Sequence, residues 1–365
     1  MNNTRYYFVI GTVAELIKVM PVMHELAARS VPFEIISTGQ NTLDGDELFS
    51  TADIPRPTIY LSRRPVKKSP LGLILWFFAT FASGLRVFRK TFPKMGSGAT
   101  IVVHGDTLST LMGAVLGKIF QLRVAHIEAG LRSHNFFQPF PEELDRYLTS
   151  FFSDLHFAPS EEAVRNLHQR KGDKINTHFN TNIDSLAFAK KLPQAPAILE
   201  TLGNDPFWIF IMHRQENLLN KALLRSTVAV VKEFSKSMKC VFIAHAPTVA
   251  ALERDDLLQS IYDEDGIVLS DRLPYTEFMA LLEACDFIVT DGGGNQQECY
   301  YLGKPCLLLR NLTEGSEGIG QNVVISNNDT GTIRAFFANY KSYSGPEIVP
   351  HVRPSQIVAD ALLRT

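Results

Sequence analysis

Short runs of apolar, β-branched residues recur along almost the whole chain, each followed by a longer stretch in which apolar residues return every three or four positions. Such runs fall at Tyr6–Ile10, Phe33–Ser37, Thr100–His104, Arg123–Ile127, 155–159, 207–212, 240–245, 266–269, Phe287–Thr290 and 305–309. They read as strands separated by helices. Repeated strand–helix units build parallel sheets covered by helices on both faces. There are too many strands for one comfortable open sheet, and residues 180–204, ending in Gly203-Asn-Asp-Pro206, resemble a change of domain. The expectation is α/β, with two Rossmann-like domains whose parallel sheets face each other across a central cleft. Residues 1–185 form the first domain and 186–349 the second, with a C-terminal helix at about 350–365 packing back on the first.

Ligands of such sheets sit outside the carboxyl ends of the strands, so the residues just after each strand carry the chemistry. Those positions are polar: Gly11-Thr12, His104-Gly105-Asp106-Thr107, Glu128-Ala129-Gly130, His213-Arg214-Gln215-Glu216-Asn217, and Asp291-Gly292-Gly293-Gly294. The three consecutive glycines at a helix start can bring backbone N–H groups close to a phosphate. Glu298, about one turn into that helix, can bond a ribose hydroxyl pair. Asp106, Glu128 and Glu142, with His213 from the second domain, form the acid, base and electrostatic set that proton abstraction from carbon requires. A lone strand-end Asp is more often a cap, and His104 and His126 read as packing histidines. No HExxH run and no clustered Cys/His pattern is present, so neither metal nor cofactor is expected.

The 365 residues carry a formal charge of −2, which gives the whole molecule no bulk attraction to nucleic acid. Cys240, Cys285, Cys299 and Cys306 include no CxxC pair, which suits a reducing cytoplasm. The N-terminus lacks the basic, then apolar, then small-residue order of an export signal. Residues 63–94 stand apart. They contain Arg63, Arg64, Lys67, Lys68, Arg86, Arg89, Lys90 and Lys94 and no acidic residue, so this stretch is +8 and the remainder −10. Between the basic flanks, residues 71–82 are almost wholly apolar. At roughly 18 Å of helix they are too short to cross a bilayer. Two readings stand side by side: a peripheral contact with anionic lipid through Trp76, Phe77 and Phe78, or a helix buried between two copies of the chain.

The densest run of these features is His104-Gly-Asp-Thr, His126-Ile-Glu-Ala-Gly-Leu-Arg132 and Pro141-Glu-Glu-Leu-Asp-Arg146. It is followed by His213-Arg-Gln-Glu-Asn217, Gly293-Gly-Asn-Gln-Gln-Glu298, Leu302-Gly-Lys-Pro305 and Arg310-Asn-Leu-Thr-Glu314. In this order the motifs resemble the non-hydrolysing UDP-N-acetylglucosamine 2-epimerases, from Gly11 to about Asn322. The resemblance implies a GT-B type fold, a UDP-sugar partner, a homodimer and no cofactor. It implies that Asp106, Glu128 and Glu142 are catalytic carboxylates, that His213 is catalytic or phosphate-side, that Gly293 and Gly294 cradle the diphosphate, and that Glu298 holds the ribose. The implied reaction eliminates UDP across C1–C2 to a 2-acetamidoglucal and re-adds it after a proton returns to the opposite face of C2, supplying surface polysaccharide synthesis.

The phosphate set departs from the family pattern. Val13 stands where the family has Arg, Gly292 where it has Ser, and Gly315-Ser316 where it has Arg-Pro. Lost arginines weaken diphosphate contacts, leaving Lys18, Arg214 and Arg310 as candidate donors. Gly292→Ser with Val13→Arg is expected to tighten UDP. The alternative on the same scaffold is a membrane-associated GT-B glycosyltransferase using a nucleotide-sugar donor and a lipid-linked or glycan acceptor.

Overall fold

The computed structural model describes residues 5–43, 47–63, 66, 70–136, 141–192 and 195–364. The chain divides into two compact units, Met1–Ser185 with Pro350–Thr365, and Leu186–Val349.

The first unit holds β1 (Tyr6–Ile10), β2 (Phe33–Ser37), β3 (Ile59–Tyr60), β4 (Thr100–His104), β5 (Arg123–Ile127), β6 (Leu155–Ala158) and β7 (Asp173–Asn176). They form one sheet in the order β3-β2-β1-β4-β5-β6-β7. Each neighbouring pair is parallel. β1 and β4 are wholly buried, which explains their uninterrupted apolar sequences. Strand order reverses between β1 and β4, so a ligand site is expected at their carboxyl ends.

The second unit repeats the plan with β8 (Phe207–Ile211), β9 (Lys239–Ile243), β10 (Ile267–Ser270), β11 (Phe287–Thr290), β12 (Cys306–Leu308) and β13 (Val323–Ile325). Its order is β10-β9-β8-β11-β12-β13, again all parallel, with the reversal between β8 and β11. Trp208 of β8 stacks on Phe287 of β11 at 5.5 Å in the core beneath this reversal.

All ten strands anticipated from the sequence are present, and the described residues form three more that were not anticipated. β3, β7 and β13 are outermost in their sheets. An edge strand is short and half-solvated, so it needs no long apolar run to mark it.

The terminal helix Pro354–Leu363 belongs to the first unit, against the helix Val13–Ala28. The Tyr6 hydroxyl donates to Leu362 O at 2.8 Å, Arg29 pairs with Asp360 at 2.5 Å, and Ser355 N donates to Asp184 at 2.8 Å.

The segment expected to form a twelve-residue apolar helix forms one of 22 residues, Pro70–Thr91. Arg86, Arg89 and Lys90 lie on its exposed side, where a cation does not interrupt the helix. Trp76 and Phe88 join Tyr7, Ile101 and Leu116 in the core, and a Cβ on Gly84 would fall 2.7 Å from Leu116 Cδ1. Of the three aromatics assigned to a lipid surface, only Phe78 is exposed. Trp76 is a core residue because a helix alternates faces within two residues. Arg64, Lys67 and Lys68 lie outside the described residues.

Candidate active site

In the first unit the chain leaves β1 through Gly11, where a Cβ would fall 1.9 Å from Ser109 Oγ. Only glycine permits that approach. Thr12 then caps the next helix, and Glu15 completes a capping box. Glu15 Oε2 accepts from the backbone N–H of Gly11 and Thr12, both at 2.7 Å, while Oε1 accepts from the hydroxyls of Thr107 at 2.5 Å and Thr110 at 3.0 Å. One buried carboxylate thus ties the loop after β1 to the loop after β4. Burial holds its pKa above the ordinary value despite those four donors.

Glu128, just after β5, is held at φ 66°, in the left-handed region that residues other than glycine seldom occupy. Strain of this kind persists where surrounding contacts enforce it. Lys18 Nζ lies 2.6 Å from Oε2, the Asn180 amide donates to the same oxygen, and His104 Nε2 is 3.8 Å away. Burial opposes ionisation, yet the Lys18 ammonium, His104 and the hydrogen bonds from Lys18 and Asn180 bring the carboxyl down to about 2. Lys18, expected among the phosphate donors, is therefore paired with a carboxylate. Burial lowers His104 to about 4 and His126 to about 3. His126 packs with Nε2 2.7 Å from Gly105 O.

The neighbouring carboxylates are sorted by Arg146. Its guanidinium bonds Asp106 Oδ2 on one side and Glu143 Oε2, at 2.8 Å, on the other. Arg132 Nε takes Glu143 Oε1 at 2.5 Å, and Ser133 N donates to Oε2 at 3.0 Å. Glu143 is thus fully buried structural wiring, whereas Glu142 opens the helix Glu142–Thr149 only partly buried. Asp145 was missed in the sequence. It is 3% exposed, and burial together with the Asp106 and Glu142 carboxylates pushes it up to about 8 against the pull of Arg146. The signal was present in Pro141-Glu-Glu-Leu-Asp-Arg146, because residues three apart share a helix face.

In the second unit the organising group is Asp291, fully buried after β11. It accepts from His213 N at 3.0 Å, Arg214 N at 2.9 Å and Asn217 Nδ2 at 3.0 Å. His213 Nδ1 lies 3.2 Å from Asp291 Oδ1. Burial, with Arg214 and Arg272, keeps the His213 imidazole below its ordinary pKa although Asp291 opposes them. The ring of His245 stands 5.1 Å away.

Gly292 begins the helix Gly293–Leu302 without a side-chain cap. A Cβ there would meet Asn295 Oδ1 at 2.8 Å and His213 Cε1 at 3.1 Å, and one on Gly294 would meet nothing within 4 Å. The uncapped N–H groups form an anion-binding end. Arg310 Nη1 is 3.7 Å from a Cβ placed on Gly293, and its guanidinium is held in bidentate fashion by Glu314, both bonds 2.9 Å. Glu314 also lies 3.6 Å from Arg214 Nη2. Glu298 is buried and accepts from Asn295 at 3.0 Å. Among the described residues no group of three or more His, Cys, Asp or Glu could hold a metal ion.

A sequence profile described as UDP-N-acetylglucosamine 2-epimerase matches residues 24–344. The chain belongs to that family. It is 36% identical to the UDP-N-acetylglucosamine 2-epimerase of Bacillus subtilis over 324 residues, covering 87% of this chain and 82% of the relative. It is 30% identical to the enzyme of that name from Methanocaldococcus jannaschii over 344 residues, 90% of each. The crystal structure of UDP-GlcNAc 2-epimerase from Neisseria meningitidis bound to UDP-GlcNAc superposes with TM-score 0.84 and 26% identity, covering 99% of this chain and all of that one. As in these epimerases, the fold is two parallel-sheet α/β units of the GT-B class.

Proposed function

We propose that the protein interconverts UDP-N-acetylglucosamine and UDP-N-acetylmannosamine by elimination and re-addition of UDP. The observation that carries this reading is the carboxyl cluster at the ends of β4 and β5 and on the Glu142–Thr149 helix. Glu128 is ionised there, and Asp106 and Glu142 stand beside a third carboxyl, Asp145, that keeps its proton at neutral pH. Elimination takes the C2 proton to a base as the C1–oxygen bond breaks, giving a 2-acetamidoglucal and UDP. An acid then returns a proton to the other face of C2 while the UDP oxygen re-forms its bond to C1. Such a sequence needs both a proton acceptor and a proton donor near C2. Asp106, Glu128 and Glu142 fill those roles, with Lys18 as the counter-ion of Glu128 and Gly11 keeping the β1 end close-packed.

In the second unit, the N–H groups of Gly293 and Gly294 receive the diphosphate, while that of Gly292 donates to Thr290 Oγ1 at 3.1 Å; Arg214 and Arg310 complement the diphosphate charge, and Glu298 takes the ribose. His213, its Nδ1 beside Asp291, rises in pKa as the diphosphate arrives and becomes a cation for the leaving group. The relatives are named epimerases, which favours this reaction over glycosyl transfer. We further infer a cytoplasmic homodimer that supplies an N-acetylmannosamine donor for surface polysaccharide.

The test is proton NMR of the purified protein with UDP-N-acetylglucosamine in D2O. Loss of the H2 signal with a second anomeric resonance from the manno epimer is expected. Bound UDP-sugar without exchange would remove the reading.

A further inference from the structure

The first turn of the helix Gly293–Leu302 carries a side chain that the proposed chemistry does not use. Asn295 is half-buried there, and both ends of its amide are engaged. Its Oδ1 accepts from the Thr290 hydroxyl at 3.0 Å, and its Nδ2 donates to Glu298 Oε2 at 3.0 Å. Residues 295 and 298 are three apart, so they share a helix face. Thr290, the last residue of β11, accepts in turn from the backbone N–H of Gly292 at 3.1 Å.

Both neighbours demand the same orientation of the amide. A carboxylate offers only acceptors, so Glu298 takes the N–H end. The Thr290 oxygen already faces the Gly292 N–H, which leaves its proton for the carbonyl end. One directed chain of hydrogen bonds thus runs from the start of the diphosphate loop, through Thr290 and Asn295, to the carboxylate assigned to the ribose. Thr290 and Glu298 are 0% and 6% exposed, so a bond lost between them is not replaced by bulk water. Gly292 belongs to the same arrangement, because a Cβ there would fall 2.8 Å from Asn295 Oδ1. The serine of the family pattern at 292 and the amide at 295 compete for one space, and this chain keeps the amide.

We propose that Asn295 is a positioning residue for ribose recognition. It fixes Glu298 through Oε2, leaves the remaining lone pairs of the carboxylate for a vicinal pair of hydroxyls, and ties that orientation to the backbone of the diphosphate loop. A carboxylate left to rotate would meet both hydroxyls in only a fraction of its orientations, a cost that a fixed partner removes. The ligand class so selected is a ribonucleoside diphosphate over one lacking the 2′ and 3′ hydroxyls. The inference rests on the assignment of Glu298 to the ribose made above.

Calorimetry of the full-length protein with UDP and with 2′,3′-dideoxyuridine 5′-diphosphate tests this. The parent is expected to bind UDP about tenfold more tightly than the dideoxy analogue. N295L, which keeps a branched side chain and removes both hydrogen bonds, should bring UDP down to the level of the analogue and leave the analogue within about twofold of its parent affinity. E298A sets the scale for full loss of the preference. In turnover, N295L should raise KM for UDP-N-acetylglucosamine about tenfold and leave kcat within about twofold. The thermal midpoint controls for folding, and N295A, which removes the amide without pressing on Thr290, takes the place of N295L if that variant does not fold. A preference for UDP retained without Asn295 but lost in E298A would overturn the role of Asn295 and leave the ribose assignment intact. Equal weakening of both ligands would also overturn it, since that is what a purely structural residue gives. A parent protein that binds both ligands equally, or neither, would overturn the ribose assignment and this inference with it.

Discussion

Glu128, its backbone held at φ 66°, and Lys18 are joined across 110 residues by a partly buried ion pair, 2.6 Å from Oε2 to Nζ. The pair keeps a carboxylate ionised where burial alone would neutralise it.

Glu128→Gln preserves shape and removes that anion, leaving the half-buried Lys18 opposite an amide. Deuterium exchange at C2 should fall by about 10²–10⁴ while UDP affinity, measured by calorimetry, stays near the parent value. Exchange at the parent rate would make Glu128 structural.

The same pair gives a pH dependence. The folded-state pKa of Glu128 is lowered to about 2 from 4.5, so its contribution is fully present above the unfolded value and disappears as pH falls through the folded one. Thermal midpoints should drop between about pH 4.5 and 2 more steeply for the parent than for Glu128→Gln. Parallel curves would show that the pair contributes nothing.

Asp145 has the opposite sign. Its folded pKa lies near 8 against 3.8 for the free side chain, so the unfolded chain loses this proton first and stability declines as pH rises between those values. Asp145→Asn should raise the midpoint at pH 7 and flatten the alkaline limb. A parent protein equally stable at pH 5 and pH 8 would contradict this.

Gly11→Ala places a methyl 1.9 Å from Ser109 Oγ, whose neighbours Thr38 and Gln40 hold it by hydrogen bonds of 2.7 and 2.6 Å. Overpacking there should cost about 1–3 kcal/mol, read from a urea midpoint, because Ser109 cannot yield without breaking both bonds. An unchanged midpoint would mean that the loop moves freely.

Gly292→Ser, expected from sequence to tighten UDP together with Val13→Arg, meets a crowded site. The new Cβ presses on Asn295 and on His213 Cε1, so the single substitution should weaken UDP about threefold to tenfold by turning His213 away from its place beside Asp291. Tighter binding would show that a hydroxyl at this helix start outweighs the crowding.

The site was legible where chemistry follows strand ends. Asp106, Glu128, His213 and Gly292 to Gly294 could be picked out because each follows a continuous apolar run. Asp145 was not, although it lies one helical turn from Glu142, because a helical Asp reads as solvated until its burial is known. Glu15 was passed over for the same reason, since its role depends on Thr107 and Thr110, some ninety residues further on.

The sequence by itself determined the alternation of strand and helix, the ten principal strands and the polar residues that follow them, because periodicity and residue type are local properties of the chain. Only the tertiary structure decided which of those residues are partners. Strand order brings the ends of β1, β4 and β5 side by side, and burial then sets the charge of each group found there. The same held for the basic segment: local composition showed an apolar helix with cations, but packing against Leu116 and Tyr7 decided that Trp76 turns inward and Phe78 meets solvent.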